Sequence, residues 1–452
     1  MKRVMKAAIT RRRMLGALGL AGAAVGFPAI VPSTVFGKDS PSNRVALGMI
    51  GLGRQGTQVN LRTLVNMDEV RIVALCDVDK WRLDNAKGIV DKTYGNKDCR
   101  TCADWREVVA RDDVDAIMNS TPDFWHVPIS LAAVRRGKHV SCEKPLTLSV
   151  AEGRVLADAA KKRGVVFRTD SECRSHAYMH KTAELVRNGH IGKIKRIECG
   201  VPRGDQPGGG AAQSPVPKEL DYEMWMGPIE RKPYMVDAVH PRKSFGRPGW
   251  MRCRDTCEGM ITNWGTHVMD VAQQVNNTER TGPVSIEGTG TYPQAGSGIW
   301  KVLIDFKAQY QYANGLKMDY LIDPKGAYLR VEGEDGWIQA NWFRKGGLQA
   351  SDKNILMTKL KPTDLHLPQR GDKEDFIYCI RNGAPQESMI DAEVGHRTCS
   401  LGQLAHIAIN RNKKLQWQPE KEVFTDDEEA NRMLTRGYRK PWGLDINDRM
   451  NA

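Results

Sequence analysis

The apolar positions of residues 45–142 form two alternating patterns. Strand-like runs occupy residues 45–50, 70–76, 114–120 and 138–142, and the first two are mostly apolar. Between them, apolar residues recur at helical spacing, most clearly over residues 78–94 and 124–137. This alternation predicts an α/β fold with a doubly wound parallel sheet, which binds its ligands at the carboxyl ends of its strands.

The rest of the chain mixes strand-like and helical segments. Strand-like runs occupy residues 195–201, 283–292, 301–306 and 327–331. Helices are predicted over residues 374–382, 392–410 and 426–436, and the glycine- and proline-rich residues 204–217 predict a loop. Because 452 residues are too many for one typical core, we expect two domains.

A glycine motif follows the first predicted strand. Gly51, Gly53 and Gly56 have the spacing G-x-G-x-x-G, and residues 57–61 can open a helix. Gly51 permits a tight turn, and Gly53 has no side chain to hold phosphates away. Gly56 lets the helix lie close to the strand, so that its free N–H groups point at a pyrophosphate. The motif therefore predicts a dinucleotide site.

Asp77 ends the second predicted strand, at the distance from the motif where an acid binds the adenosine ribose. Its carboxylate would repel a 2′-phosphate, which favours NAD over NADP, although Arg54 or Arg82 could offset that charge. Arg54 and Gln55 lie inside the glycine motif and are predicted to contact the same cofactor. The segments Ser120–Pro122 and Glu143–Lys144 follow later strands and should reach the same edge of the sheet.

Five segments together resemble the glucose-fructose oxidoreductase, inositol dehydrogenase and MocA family (Gfo/Idh/MocA). They are Gly48–Gly56, Ser120–His126, Gly137–Leu146, Leu185–Lys193 and Trp264–Asp270. The resemblance implies a nucleotide-binding Rossmann domain over residues 38–164. It also implies a second α+β domain over residues 165–452, with an open and mostly antiparallel sheet that binds substrate and supports a homo-oligomer.

The resemblance also implies roles for individual residues. Lys144 would lie beside the nicotinamide and bind or deprotonate a substrate hydroxyl, as the lysine of the Glu-Lys-Pro motif does in the family. His267 would complete the site, with Asn263 where relatives carry an aspartate. An amide can orient a hydroxyl but cannot take its proton, so His267 and Lys144 become the candidate bases. His126 is predicted near the nicotinamide ribose, and Asp270 outside the site.

Residues 170–175 depart from the family pattern, because many relatives have glycine and glutamine before Arg174. The added charge suggests that the substrate or carboxamide pocket differs from that of many relatives. Arg174, His176, Tyr178 and Trp264 are candidate substrate contacts, and an aromatic face can stack on a sugar ring. The family resemblance implies a carbohydrate substrate, and it does not identify which one.

The first 37 residues predict an export signal. They hold six basic residues and no acid, and Arg11–Arg13 precede an apolar run over residues 17–31. That run is short and rich in glycine and alanine for a membrane span, and the paired arginines resemble a twin-arginine signal. We therefore expect export to the periplasm without a stable membrane span after cleavage, with an uncleaved anchor as the alternative.

The charge distribution and the cysteine spacing argue against a nucleic-acid site and a metal site. Six of the thirteen net positive charges lie in the first 37 residues, and elsewhere no basic block interleaved with aromatics points to nucleic acid. Ten cysteines include the close pairs Cys99/Cys102 and Cys253/Cys257, neither of which has a second half with zinc-site spacing. No metal site is predicted. In an exported protein either pair could oxidise, but buried free thiols are the favoured interpretation.

Three functions fit these observations. The first is a carbohydrate oxidoreductase whose bound NAD(P) is recycled internally. The second is an NAD-using glycosidase that resembles the NAD-dependent alpha-N-acetylgalactosaminidases. The third is a non-catalytic ligand-binding protein that retains a nucleotide, which Asn263 would permit but Lys144 and His267 argue against.

Overall fold

Six parallel strands form the first sheet of the computed structural model, which describes residues 44–204, 206–342, 345–425 and 427–444. The strands are β1 Val45–Ile50, β2 Val70–Cys76, β3 Arg100–Cys102, β4 Ala116–Asn119, β5 His139–Glu143 and β6 Phe167–Asp170. Their order is β3-β2-β1-β4-β5-β6, and every neighbouring pair is parallel. This order confirms the doubly wound sheet, with its switch point between β1 and β4. The proposed export signal lies outside the described residues.

Helices connect these strands on both faces. They are Lys80–Tyr94, Trp105–Ala110, Asp123–Arg135 and Val150–Arg163, together with a π-helix Gly56–Leu61 that continues as the short α-helix Arg62–Leu64. Two of them have clear sequence signals for their ends. The Asp79 side chain accepts from the Trp81 and Arg82 amides, and Gly95 ends the same helix at φ +67°. Ser149 and Glu152 form a capping box before the helix Val150–Arg163.

The turn after β1 depends on two glycines. Gly51 has φ +85°, a conformation that side chains disfavour, and its amide donates to the Cys76 carbonyl over 2.9 Å. A Cβ at Gly56 would lie 2.1 Å from the Gly51 carbonyl oxygen. Only glycine therefore lets the helix start this close to the strand, as the motif predicts.

The second sheet is mixed and has nine strands. They are β7 Ile194–Val201, β8 Ser285–Thr291, β9 Asp305–Gln311, β10 Lys317–Ile322, β11 Ala327–Gly333, β12 Trp337–Trp342, β13 Leu348–Ala350, β14 Leu415–Gln418 and β15 Val423–Thr425. Their order is β13-β12-β11-β7-β10-β9-β8-β14-β15, with β7 and β10 as a parallel pair among antiparallel neighbours. The open, mostly antiparallel sheet is confirmed.

The strand predicted over residues 301–306 begins only at Asp305. Before that point, the Lys301 and Val302 amides both donate to the Arg252 carbonyl, over 2.9 and 3.4 Å. The amides of Lys301 and Val302 therefore donate to the end of the 3₁₀ turn Gly249–Arg252 and not to a strand, and the strand prediction was wrong by four residues at its start.

Helices cover one face of the second sheet and join it to the first. The α-helices of this part are Ala177–Arg187, Tyr222–Met226, Met260–Asn263, Gly265–Asn276, Lys353–Met357, Asp372–Asn382, Ala392–Arg411 and Glu428–Arg432. Short 3₁₀ turns occupy Cys173–Ser175, Val236–Ala238, Gly249–Arg252 and Pro385–Glu387. In the described ranges, no helix is both long and apolar enough to cross a membrane.

The long helix Ala392–Arg411 packs against β8 of the second sheet and against the helix Val150–Arg163, which crosses over between β5 and β6. At that crossing a Cβ on Gly153 would lie 2.3 Å from the His396 Nδ1. Arg154 pairs with Glu393 over 2.5 Å and with Glu422 over 2.6 Å beside it. Close packing and half-buried ion pairs therefore hold the two sheets in one arrangement.

The close approach of Gly56 to Gly51 gives a first prediction. Gly56→Ala should lower the melting temperature and weaken NAD binding at least tenfold, because the helix must move away from the turn. Gly88→Ala is the matched control, since a Cβ on that helical glycine would meet no described atom within 4 Å. It should leave stability unchanged or raise it by about 0.5–1 kcal/mol. Thermal unfolding and NAD fluorescence titration measure both effects, and equal behaviour of the two variants would contradict the role of Gly56.

Candidate active site

One cleft runs along the carboxyl edge of the first sheet and is closed by residues from the second half of the chain. The first sheet contributes the glycine turn, Asp77, Ser120–Asp123, Glu143 and Lys144. The second half contributes Trp225, His240, residues 246–248, Asn263, Trp264, His267 and Trp342. The cleft therefore brings together the nucleotide motif and the predicted catalytic residues.

Asp77 lies at one end of this cleft and is held by backbone amides. Its carboxylate accepts from the Leu52 amide over 2.6 Å and from the Asp79 amide over 2.8 Å. Burial raises the pKa of Asp77 above its ordinary value, and these two amides oppose the rise. The contact with Leu52 fixes the carboxylate against the glycine turn, which is the arrangement a ribose beside a pyrophosphate requires.

The glycine turn has room for that pyrophosphate. A Cβ on Gly53 would meet no described atom within 4 Å, and the following helix presents its N-terminus to the cleft. Arg54 and Gln55 both line the cleft beside the turn, as predicted. The residues present therefore fit a dinucleotide.

Residues 217–251, which we call the cover segment, are fastened over the Asp77 end. His240 Nε2 lies 2.8 Å from Asp79 Oδ2, and Arg82 Nη2 donates to the Pro241 and Ser244 carbonyls over 3.0 and 2.8 Å. Backbone bonds from Lys80 N to the Glu219 carbonyl and from Asp221 N to the Val78 carbonyl add to these contacts. Arg82 is thus engaged with the cover segment, while its charge still opposes the rise in the pKa of Asp77.

A buried amide links the glycine turn to the next two strands. Asn60 Nδ2 donates to Glu143 Oε1 over 2.8 Å and to Ser120 Oγ over 2.9 Å. His126 joins the turns after β4 and β5 in the same region, with Nδ1 2.8 Å from the Pro145 carbonyl and Nε2 2.9 Å from the Thr121 carbonyl. Burial lowers the pKa of His126. His126 lines the cleft, but both of its ring nitrogens face backbone oxygens.

The predicted catalytic residues meet at the other end of the cleft. Lys144 Nζ lies 3.2 Å from Asn263 Oδ1 and 3.5 Å from the Asn263 carbonyl. His267 is 4% exposed, and its Nδ1 lies 2.8 Å from Ser171 Oγ. Burial lowers the pKa of His267 well below its ordinary value, and the Lys144 charge lowers it further. The imidazole is therefore neutral at physiological pH.

Trp264 and Trp342 line the cleft around this histidine. The Trp342 ring centroid lies 5.0 Å from that of His267 at an angle of 84°, and the Trp264 centroid lies 5.8 Å away at 68°. Such edge-to-face contacts hold the imidazole plane. Trp264 was predicted from its motif. Trp342 comes from β12, far along the chain, and no sequence signal placed it here.

The other predicted substrate contacts lie outside the cleft lining. Arg174 is buried, and its guanidinium binds both Asp270 carboxylate oxygens over 2.7 Å each. Because Asp270 balances its charge, the Arg174 guanidinium can be buried. Arg174 therefore supports the helix Gly265–Asn276 and does not line the cleft. His176 packs on the outer side of Trp342 with centroids 5.8 Å apart, and the Tyr178 ring lies 5.4 Å beyond it.

Asp123 lines the cleft and was missed by the sequence analysis. It is 2% exposed, and its Oδ2 has no hydrogen-bond partner among the described residues. Burial raises the pKa of Asp123 to about 7, while the Cys257 thiol and the Lys144 charge oppose the rise. An aspartate directly after a Thr-Pro turn also looks like an ordinary helix start, so its burial could not be inferred.

The expectations for metals and disulfides concern cysteines that are spread over the chain from Cys76 to Cys399. All ten cysteines are free thiols, including both pairs that are close in sequence. Within the part of the chain that the structure describes, no cluster of histidine, cysteine and acidic side chains has the geometry of a metal site.

The raised pKa of Asp123 makes stability depend on pH. Between its ordinary pKa of 3.8 and about 7, the folded protein holds a proton that the unfolded chain has lost. Stability therefore falls as pH rises through this window, and the full cost of the buried charge applies above it. Asp123→Asn cannot ionise. The melting temperature of this variant minus that of wild type should therefore increase by several degrees between pH 5 and pH 8. Exposed Asp112→Asn controls for the lost charge, and an equal pH trend in both variants would contradict the assignment.

Comparisons with known proteins agree with this geometry. A profile described as "Oxidoreductase family, NAD-binding Rossmann fold" matches residues 45–171, and one described as "Oxidoreductase family, C-terminal alpha/beta domain" matches residues 209–444. Among solved structures, an aldose-aldose oxidoreductase from Caulobacter crescentus superimposes with a TM-score of 0.61 at 18% identity, over 82% of this chain and 99% of its own. A levoglucosan dehydrogenase gives 0.60 at 15% identity, over 83% and 99%. These structures share the fold.

Curated relatives match over shorter stretches. A myo-inositol 2-dehydrogenase from Thermotoga maritima is 31% identical over 178 residues, 39% of this chain and 47% of that protein. An alpha-N-acetylgalactosaminidase from Bacteroides fragilis is 29% identical over 160 residues, 35% of this chain and 37% of that protein. These matches span less than two thirds of the relatives' length. Because the two profiles cover most of the described chain, the protein belongs to the Gfo/Idh/MocA oxidoreductase family.

Proposed function

We propose that the protein is an NAD-dependent oxidoreductase that acts on a sugar or sugar derivative and keeps and recycles its cofactor. The observation that carries this proposal is the meeting of Lys144, Asn263 and His267 in the cleft that also holds the glycine turn and Asp77. The names of similar proteins, which include a myo-inositol dehydrogenase and an aldose-aldose oxidoreductase, support a polyhydroxylated substrate.

The chain's own residues account for cofactor binding and orientation. The amides after Gly51 would hold the pyrophosphate, and Asp77 would accept from the adenosine ribose hydroxyls. The Asp77 charge favours NAD, with NADP as the less favoured alternative. When bound, the nicotinamide supplies the chemistry of hydride acceptance and return.

Lys144 is the group through which a substrate proton would move. Its ammonium donates to Asn263 Oδ1, which leaves other N–H groups for a ligand oxygen in the cleft. As a neutral amine the same nitrogen can accept the proton of a substrate hydroxyl. Asn263 cannot take a proton, so its part is to position the lysine and the hydroxyl. Trp264 and Trp342 would offer aromatic faces to a sugar ring.

The cover segment supports cofactor retention. It closes the cleft where the adenosine half would bind, and its contacts include the Asp79–His240 pair and the Arg82 bonds to two carbonyls. Retention suits a protein with a twin-arginine signal, because that route exports folded proteins. We accordingly propose a periplasmic enzyme whose hydride is returned before the next turnover, and a homo-oligomer formed through the second sheet.

A second candidate is an NAD-dependent glycosidase. The similarity to an alpha-N-acetylgalactosaminidase favours it, and such a reaction is also redox-neutral overall. The same lysine would serve both reactions, so the cleft is compatible with either. Chromogenic glycosides and free sugars separate the two, since aglycone release without NADH accumulation identifies the glycosidase.

Cofactor retention is tested on protein purified from the periplasm without added nucleotide. Denaturation should release close to one NAD per chain, and turnover should proceed without added NAD. A protein that releases no nucleotide, and whose activity depends strictly on added NAD, would instead be an ordinary dehydrogenase.

Lys144→Ala should reduce turnover at least about a hundredfold, because the group that moves the substrate proton is lost. NAD binding should change little, since the glycine turn and Asp77 supply most of the cofactor contacts. Exposed Lys162→Ala is the matched control and should behave as wild type in both measurements. Steady-state kinetics and calorimetric NAD titration give the readouts, and near-normal turnover of Lys144→Ala would remove Lys144 from the mechanism.

A further inference from the structure

The hydrogen bond between Ser171 and His267 joins the two halves of the active site. Ser171 directly follows β6 of the first sheet, and His267 lies on the helix Gly265–Asn276 of the second half. The Oγ to Nδ1 distance is 2.8 Å, and the two residues are 1% and 4% exposed. Ser171 is itself fixed, because its amide donates to the Thr169 carbonyl over 2.9 Å and its carbonyl accepts from Arg168 Nη2 over 3.2 Å.

Counting donors and acceptors decides the direction of this bond. A serine hydroxyl has one hydrogen and two lone pairs, and the Cys173 amide already donates to Ser171 Oγ over 3.4 Å. If His267 Nδ1–H donated to Oγ, the hydroxyl hydrogen would have no acceptor among the described residues. If the hydroxyl donates to Nδ1, both buried atoms have their partners, and the one group left without a protein partner is the Nε2–H of a residue that lines the cleft. An unmade buried hydrogen bond is costly, so the second arrangement is favoured.

The arrangement places the imidazole proton on Nε2. A neutral imidazole carries one proton, so an Nδ1 that accepts from Ser171 requires an Nε2–H group. The Trp264 and Trp342 rings hold the imidazole plane, and His267 lines the cleft. Nε2 has no protein partner in the described residues, which leaves its N–H for a ligand.

Burial is the main cause that keeps this imidazole neutral, and it acts whether Lys144 is an ammonium or a neutral amine. Burial and the Lys144 ammonium lower the pKa of His267, and only Asp372, at the start of the helix Asp372–Asn382, opposes them. Glu172 Oε2 lies 3.8 Å from Nδ1, beyond hydrogen-bond distance, and its side chain is half-exposed. A neutral histidine that presents N–H is suited to stabilise charge on a substrate oxygen rather than to remove a proton.

We propose that Ser171 is a positioning residue that holds His267 as the Nε2–H tautomer, so that His267 donates a hydrogen bond to the substrate oxygen while Lys144 alone accepts the hydroxyl proton. In this step the substrate O–H bond breaks, an N–H bond forms on the neutral Lys144 amine, and the electron pair stays on oxygen. The His267 N–H bond remains intact. The proposal rests on the proposed function and narrows the two candidate bases of the sequence analysis to one.

Nitrogen NMR of the purified protein, labelled with ¹⁵N-histidine, tests the tautomer without any substrate. The chain has ten histidines, and the signals of His267 are assigned by their loss in His267→Gln. Across neutral pH, His267 should show a protonated Nε2 and an unprotonated Nδ1. Ser171→Ala should convert it to a mixture of tautomers, and Ser171→Thr, which keeps the hydroxyl, should preserve the wild-type pattern. A protonated Nδ1 in the wild type would overturn the proposal.

Three substitutions at His267 separate a donor from a base. The amide of His267→Gln can place an N–H near the former Nε2 but cannot accept the proton, whereas the shorter His267→Asn places its amide near Nδ1. If His267 is a donor, the kcat of His267→Gln should stay within about tenfold of wild type, while His267→Asn and His267→Ala lose about a hundredfold or more. Equal losses in all three would make His267 the base and overturn the proposal.

The pH profile provides an independent check. The acid limb of kcat/KM should persist in His267→Gln, because the proposal gives the histidine no part in accepting the proton. Loss of the limb would assign it to His267. If the wild type turns over none of the sugars and glycosides, the proposed function fails, and the NMR result still decides the tautomer.

Discussion

The register of the parallel sheet is the constraint on which the active site depends. Ile50 is level with Cys76 on one side and with Asn119 on the other, and Asn119 is level with Cys142. The residues that follow these positions are Gly51, Asp77, Ser120 and Glu143, so the strand ends deliver them to one line across the sheet. Hydrogen bonding in a parallel ladder fixes this alignment for the whole row at once. A one-residue slip would also turn every side chain of the strand to the opposite face of the sheet.

The second half of the chain adds the remaining active-site residues to this edge of the sheet. Asn263 and His267 lie on successive turns of one helical region. Asn263 contacts Lys144 and His267 contacts Ser171, and each of these two partners directly follows a strand of the first sheet. The bidentate pair of Arg174 with Asp270 fixes the same helix from behind. The positions of the catalytic side chains in the cleft are therefore set by contacts between the two halves of the chain, and neither half contains the whole site.

The sequence predicts what depends on local order along the chain. The glycine turn, Asp77, Lys144 and His267 could be located because each belongs to a short motif at a strand end or a helix start. Asn60, Asp123, Ser171 and Trp342 could not, since their roles come from partners far away in sequence, such as Glu143 for Asn60 and His267 for Ser171. Arg174 shows the converse case, because a charged residue near a motif is as readily enclosed by an ion pair as presented to substrate. Cysteine spacing does not predict which thiols are neighbours: Cys102 is level with Cys76 on the neighbouring strand, and all ten cysteines are free, as the favoured interpretation had it.

The fastening of the cover segment bears on the time a nucleotide would spend in the cleft. Its contacts with Asp79 and Arg82 are made to the protein itself, so they add nothing to the direct interactions of a bound dinucleotide. They must nevertheless break before the cleft can open at that end, and they re-form as soon as it closes. Entry and exit are slowed by the same barrier, so a long residence time does not require an unusually favourable equilibrium constant. Under the proposed retention, substitutions in residues 217–251 would change the residence time of the nucleotide, and substitutions in the glycine turn would change its affinity.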